Sequence, residues 1–381
     1  MPVPKFTISA NGVDITSRLA GSGVSMTITD NIGSKSDTLN LVIDDVDGSI
    51  EAPKTGAILT PVGGYEGQMR NFGDFSVDSV VFSGFPQQIT IQAKSVAAKS
   101  LAKQREPKAF PKKDYATYGD IFSFIAKQVG LELVISESIK VVVNTYEAQT
   151  EENSLEFMTR LGDKLNASIT IKTGRAVVVD RGSGMTASGE LLPDIIAARG
   201  KNLLSYSVSE KDEPKHSNVE ASYYDRGKNE KKTVSEDTGM DGPKFVIRTP
   251  HQDAEEAKRS AKSQAKKLVR DSKEATFEIN GEPFAQAGAQ TVASGCRSNV
   301  DGIWSTKTVV HNFSASGAYS TSLSCTEANE KNSADGQGGS GSGGTRSSTA
   351  KKSNPSGATS RSPVVEAGVP SLTGDPGSNI G

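Results

Sequence analysis

Residues 24–29 read VSMTIT and residues 38–43 read TLNLVI. In the first stretch Val24, Met26 and Ile28 alternate with Ser25, Thr27 and Thr29, and in the second Leu39, Leu41 and Ile43 repeat the pattern. Side chains of a strand point to opposite faces in turn, so this period of two describes half-buried antiparallel strands, apolar on one face and polar on the other. The same period recurs outward from them at 57–62, 75–82 and 88–93, with Gly, Asp and Pro between the runs at the spacing of a small barrel. Residues 1–105 therefore predict a first β-barrel domain.

The period then changes. After Thr117, the residues Tyr118, Ile121, Phe122, Ile125 and Val129 share one helical face, and Gly130 stands where a left-handed cap stops a helix. A second helix is expected to start at Ser154 as N-cap, to carry Leu155, Met158, Leu161 and Leu165, and to end at Asn166. Strands at 169–172 and 175–179 flank a tight turn at Thr173-Gly174. Residues 106–198 thus read as a small α/β insertion.

Alternation resumes with Leu204, Tyr206 and Val208 and with Val219, Ala221 and Tyr223, followed by a long Lys-rich loop. A helix over about 250–271 is expected from Thr249-Pro250-His251-Gln252, with Thr as cap, Pro at the first helical position and Gln three residues past the cap. Its Ala254, Ala257, Ala261, Ala265 and Leu268 form a narrow stripe of small side chains suited to close packing on a sheet. Strands at 275–279, 290–293, 303–313 and 319–326 complete a second β-barrel domain, 199–328. The remainder, 329–381, is rich in Gly and Ser, including GGSGSGG at 338–344, and reads as a flexible or partner-docked tail. The fold class expected is mainly β, with two similar antiparallel β-barrels flanking the α/β insertion.

Composition narrows the functions. The 381 residues carry 43 Lys and Arg against 45 Asp and Glu, a formal charge of -2, so no general basic field is available to nucleic acid. No apolar run approaches the ~18 residues that span a bilayer, and the first residues lack the core of a signal peptide, which predicts a protein made in cytoplasm. The two cysteines, Cys296 and Cys325, lack zinc-site spacing and read as small buried apolar residues; a bridge between them is the minor alternative.

Motifs for chemistry are tested in the same way. Aligning Gly48 of the acidic stretch 44–48 with the turn glycine of a calcium loop puts Ile43 and Lys54 at ligand positions, so that reading fails. His216, His251 and His311 are scattered, and no nucleophile elbow or phosphate loop occurs. A glycosidase-type carboxylate pair stays open, since its members can be distant in sequence, but no pair is singled out. The lysines 211, 215, 228, 231 and 232 are interleaved with acids and describe a solvated mixed-charge loop. No cofactor, metal or catalytic residue is expected.

Several segments together resemble the phage late control D family, the baseplate hub proteins of contractile tails, related in architecture to the VgrG spike proteins of type VI secretion. They are SDTLNLVIDDVDGSIEAPKTGA at 36–57, GDFSVDSVVFSGFP at 73–86, TYGDIFSFIAKQVGLEL at 117–133, QTEENSLEFMTRLGDKLNASITIKTGRAVVV at 149–179 and DGIWSTKTVVHNFSASGAYSTSLSC at 301–325. Order and spacing agree over most of residues 5–328. Asn153-Ser154 stands where the family commonly has Ser-Asp, and Pro61-Val62-Gly63-Gly64 is less regular than the family strand.

The resemblance implies a homotrimer whose six barrels meet a six-fold tail tube while the other end faces a three-fold central spike. Tube-initiator, tape measure and baseplate wedge proteins are further implied partners, in a virion baseplate assembled in host cytoplasm. The exposed strands of both β-domains are then expected to hold subunits together, through Val24, Met26 and Ile28 in the first and Trp304, Val309 and Val310 in the second. Val364 and Val365 of the tail are expected to dock on a partner. The rival readings are a cell-wall hydrolase at a tail tip, a carbohydrate-binding module, and the hub of a related bacteriocin or secretion machine.

Overall fold

The structure is a computed structural model that describes residues 3–19, 21–33, 36–96, 107–172, 174–182, 184, 190–211 and 215–328. The tail at 329–381, with Val364 and Val365, lies outside the described residues.

The first β-rich region comprises β1 (Pro4–Ala10), β2 (Val13–Asp14), β3 (Val24–Asn31), β4 (Thr38–Asp44), β5 (Ile58–Tyr65), β6 (Gln68–Asn71), β7 (Phe75–Ser83) and β8 (Gln88–Ser95). The α/β region follows with β9 (Lys108–Pro111), α1 (Tyr118–Gln128), β10 (Glu132–Ile135), α2 (Glu137–Lys140), β11 (Tyr146–Gln149), α3 (Ser154–Leu165), β12 (Ala167–Lys172) and β13 (Arg175–Asp180). The last region contains β14 (Ile195–Ala198), β15 (Leu203–Glu210), β16 (Asn218–Asp225), β17 (Glu230–Asp237), β18 (Phe245–Val246), α4 (Ala254–Ser272), β19 (Lys273–Asn280), β20 (Gln290–Ser294), β21 (Gly302–Phe313) and β22 (Tyr319–Glu327).

The fold is mainly β, and one sheet runs through both β-rich regions, with β17-β16-β18 forming a separate sheet in the last. Fourteen strands are connected, with the main path β15-β19-β22-β21-β3-β4-β8-β7-β5-β1-β2. The link is the antiparallel pairing of β3 with β21, from Asn31 opposite Thr308 to Met26 opposite Phe313. The described pairings form an open path that ends on β15 and β2. Strand β14, expected at the close of the α/β insertion, instead pairs in parallel with β20 and buries Ile195 and Ala197 among the residues of the last region.

Alternation in β3 and β4 produces the predicted faces. Met26, Ile28, Leu39 and Leu41 are buried together with Ile89, Ile91 and Phe75. Phe313 and Tyr319, from the far end of the chain, complete this first core, with their rings stacked at 4.1 Å. Their rings lie against two glycines. A Cβ on Gly63 would stand 2.6 Å from Phe313 Cζ, and one on Gly281 would stand 2.0 Å from Tyr319 Cδ1, so neither position has room for a side chain. Beside them the fully buried His311 meets the Tyr319 hydroxyl through Nδ1 at 2.9 Å.

A second core, around Phe122, Phe157, Met158 and Leu161, sits between the helices and the small sheet β10-β13-β12. Helix α1 begins with the capping box built from Thr117 and Asp120, and Gly130, with φ of 73°, follows its end. Helix α3 is capped one residue earlier than expected. Asn153, not Ser154, accepts the Glu156 N–H at 2.9 Å, because only Asn153 has an acidic residue three positions on to complete a box, while Ser154 is buried as the first helical residue. Asn166 closes α3 in the left-handed conformation, as expected.

The long helix is the larger correction. It starts at Ala254 with Asp253 as its cap, four residues after the expected Thr249. The cause is tertiary: the His251 N–H donates to the Ser222 carbonyl at 2.7 Å and His251 bridges Tyr223, so residues before 252 run along β16 instead of coiling. Asp253 Oδ1 then accepts the Glu256 N–H at 2.8 Å. Ala257, Ala261, Ala265 and Leu268 are buried against β16 and β17, whereas Ala254 is only half-buried. The expected Lys-rich loop is also corrected. Residues 230–237 are β17, paired along their length with β16, since alternating Lys232, Val234 and Glu236 turn their stems inward.

These caps are separable by mutation. Asp253→Ala is expected to lower unfolding free energy by about 1 kcal/mol, and Thr249→Ala, exposed and outside the helix, by less than about 0.5 kcal/mol. Urea midpoints of the two variants check the assignment, and equal losses would contradict it.

Candidate functional site

The residues expected to touch a partner are mostly inside the fold. Val24, Met26 and Ile28 are 7%, 0% and 2% exposed and belong to the first core. Val309 and Trp304 belong to the core of the last region, where Trp304 Nε1 donates to the Val300 carbonyl at 2.8 Å. Val310, on the other face of β21, is half-buried. The correction has a simple reason: the apolar face of an alternating strand is the face its own core consumes. A charge at Val24 or Val309 would break the sheet before it reported on any partner.

Apolar surface free for contact lies elsewhere. At the end of the β7–β8 hairpin Val81 is 50%, Phe82 68% and Phe85 95% exposed. The loop after β4 adjoins this end, with the Asp45 N–H donating to the Gln87 carbonyl at 3.0 Å and Gln88 Nε2 donating to Asp44 Oδ1 at 2.9 Å. It adds the exposed Val46. A second exposed feature is β15, whose one partner among the described strands is β19 and which carries Leu204 and Tyr206 in solvent. The alternation of Leu204, Tyr206 and Val208 was legible as a strand, but it marks the exposed side of an edge.

Between the α/β region and α4 lies a polar junction. The buried carboxylate of Glu147 on β11 accepts from the Tyr118 hydroxyl and from Lys164 Nζ, each at 2.7 Å, and meets Arg160 at 3.4 Å. Lys164, on α3, also pairs with Glu256 of α4. Ser263 Oγ donates to the Asp163 carbonyl at 2.8 Å, and Arg270 Nη1 donates to Asn166 Oδ1 at 3.0 Å. A cleft of about 420 Å³ opens here, lined in part by Lys164, His251, Glu256 and Gln264.

The electrostatics describe a clamp. Burial disfavours the Lys164 ammonium, but Tyr118, Glu147 and Glu256 outweigh it and hold the amine well above its ordinary range. Burial likewise pushes the Glu256 carboxyl up, yet hydrogen bonds from Lys164 and the Gln252 N–H bring it below its usual value. His251 is lowered, mainly by burial, with Glu256 and Asp253 opposing and Lys164 assisting. All three shifts move away from the neutral pH at which a general acid or base must be poised. The arrangement fixes one element against another.

Among the described residues, no three His, Cys, Asp or Glu side chains are placed to hold a metal ion. Cys296 and Cys325 are both free thiols. Burial pushes the Cys325 thiol up to about 11 against hydrogen bonds with Thr291 and Thr306 that lower it, so it stays protonated. No described helix is long and apolar enough to cross a membrane.

With this geometry, the fold is shared with phage tail proteins of known structure. A tail protein of prophage MuSo2 from Shewanella oneidensis superposes with a TM-score of 0.65 over 85% of this chain and 98% of its own, at 14% identity. A tail protein of Neisseria meningitidis MC58 gives 0.60 over 85% and 96%, at 13% identity. An Escherichia coli component of the type VI secretion system gives 0.53 over 85% and 77%, at 8% identity. In sequence, the chain is 34% identical over 197 residues to the probable baseplate hub protein of Escherichia phage 186, covering 51% of this chain and 50% of that protein. It is 30% identical over 197 residues to the probable baseplate hub protein of Escherichia phage P2, with the same coverage. The chain therefore spans about half the length of the curated relatives it matches. No protein-family model matches it.

The clamp has a pH signature. The folded pKa of Glu256 is depressed, so the stability it contributes is present above the ordinary glutamate value of about 4.3 and is lost as pH falls through the lower folded value. His251, also depressed, acts in the same direction, beginning below about 6.5. Glu256→Gln is expected to cost roughly 1–3 kcal/mol at pH 7 and less at pH 3, closer to the lowered value through which wild type gives up the same charge. Urea denaturation at the two pH values checks this, and a loss independent of pH would contradict it.

Proposed function

We propose that this chain is the hub of a contractile phage tail baseplate, a homotrimer that adapts a six-fold tail tube to a three-fold central spike. The observation that carries the reading is the coincidence of two likenesses. The 197 matched residues resemble proteins described as baseplate hubs, and the whole described fold follows that of phage tail proteins over 85% of the chain. The polar clamp supports a structural role, because Lys164 of α3 is paired with both Glu147 of β11 and Glu256 of α4 and so ties these elements together.

On this reading the protein is assembled in host cytoplasm and resides in the virion baseplate. Its partners are a second and third copy of itself, the central spike and the tail tube or its initiator, with tape measure and wedge proteins at the periphery. The contacts between copies use exposed features, among them the β7–β8 end and the β15 edge, in place of the buried Val24, Met26, Ile28, Val309 and Trp304. An edge strand with unpaired N–H and C=O groups is a template for a further strand.

Light scattering on the purified chain is expected to give the mass of a trimer, and negative-stain images a ring. Antibody against the chain should label one end of tail particles, and heads on those particles separate a virion from a headless bacteriocin or secretion device. A monomer at every concentration, or label distributed along the tail shaft, would refute the hub assignment.

A further inference from the structure

Two ends of the described fold carry opposite chemistry. At the β7–β8 end Val81, Phe82 and Phe85 are exposed, and the adjoining residues 44–51, DDVDGSIE, add the exposed Val46 and hold four carboxylates and no base. Asp47 and Glu51 are exposed. Several exposed apolar side chains at one end of a hairpin mark a surface suited to contact, and acid beside them selects a basic cover.

The other end is the turn between β16 and β17. Residues 225–232, DRGKNEKK, hold four bases and two carboxylates, and Lys232 is committed to Asp225 and Glu230. Arg226, Lys228 and Lys231 are exposed, and Tyr224, 47% exposed, offers an aromatic face beside them. Among the described residues, Asp47, Glu51, Arg226, Lys228 and Lys231 have no ion-pair partner within the chain. The acidic end belongs to the fourteen-stranded sheet and the basic turn to the separate sheet β17-β16-β18.

We propose that these ends meet between copies of this chain: the acidic, phenylalanine-bearing end of one subunit docks on the basic, tyrosine-bearing β16–β17 turn of the next. The two surfaces differ, so the contact is head-to-tail, the kind that repeats around an axis and closes into a ring. This rests on the reading of the chain as a self-assembling hub and names the contact that would build it.

The test is charge reversal on the full chain, read as the dissociation constant of self-association by light scattering. Asp47→Lys with Glu51→Lys is expected to weaken association at least tenfold, and so is Arg226→Glu with Lys228→Glu and Lys231→Glu. All five substituted side chains are exposed, four of them in turns or loops and Lys231 at the start of β17, so circular dichroism and melting should match wild type. A chain carrying all five restores complementarity and is expected to return to within about threefold of wild type, which a merely disruptive set would not do. Phe85→Ser should weaken association at least tenfold without charge change. A trimer unaffected by either reversal, or equally broken in the five-substitution chain, overturns this contact and leaves the hub reading standing. Spike or tube binding lost while the trimer persists assigns the end to another tail protein and also overturns it. A wild-type chain that never associates removes the hub reading as well.

Discussion

The pairing of β3 with β21 is the constraint on which the rest of the structure depends. It joins residues 26–31 to residues 308–313 and runs one sheet through both β-rich regions. Closing so long a loop costs entropy before any contact repays it. The return is large, because Phe313 and Tyr319 enter the first core while Val309 and Leu323 stay in the last. The two β-rich regions consequently share side chains as well as hydrogen bonds, and Gly63 and Gly281 are small because those shared rings occupy their space.

The α/β region is held differently. Its aromatic core is its own, and what ties it to α4 is the polar set of Lys164, Glu147, Glu256, Ser263, Asp163, Arg270 and Asn166. Apolar contact tolerates small slides, whereas buried charges accept few geometries, since a displaced partner leaves an uncompensated ion. The clamp therefore sets orientation more than it adds affinity. A rigid joint of this kind agrees with the adapter role proposed for the protein.

Much of the fold was readable from local pattern. The alternation at 24–29 and 38–43 marked strands and also named the side chains that point inward, and Gly130 and Asn166 stopped their helices where backbone preference says they should. What escaped was set by distant partners. Thr249-Pro250 carries good start chemistry, yet Ser222, far along the chain, captures the backbone of His251 and delays the helix to Asp253. Residues 230–237 looked like a charged loop because their exposed face is charged; the inward stems that pair them with β16 are legible only once β16 is in place. The contact residues were misplaced for a related reason. Alternation says which face is apolar but not whether the chain's own core or another molecule covers it; the exposed Phe82 ended the alternating run 75–82, and Phe85 sat in the turn SGFP beyond it, where no period applies.

The welded sheet also dictates an order of events during synthesis. Strand β3 leaves the ribosome early, but the strand that covers its open edge is nearly three hundred residues behind it. Until β21 and β22 emerge, the nascent first region has an open edge along β3 and a core without Phe313 and Tyr319. Chains interrupted before that point expose a bare edge flanked by apolar residues, the kind of surface that recruits other strands indiscriminately. The final hairpin thus acts as a completeness check: the shared sheet and core close only after almost all of the described length has been made.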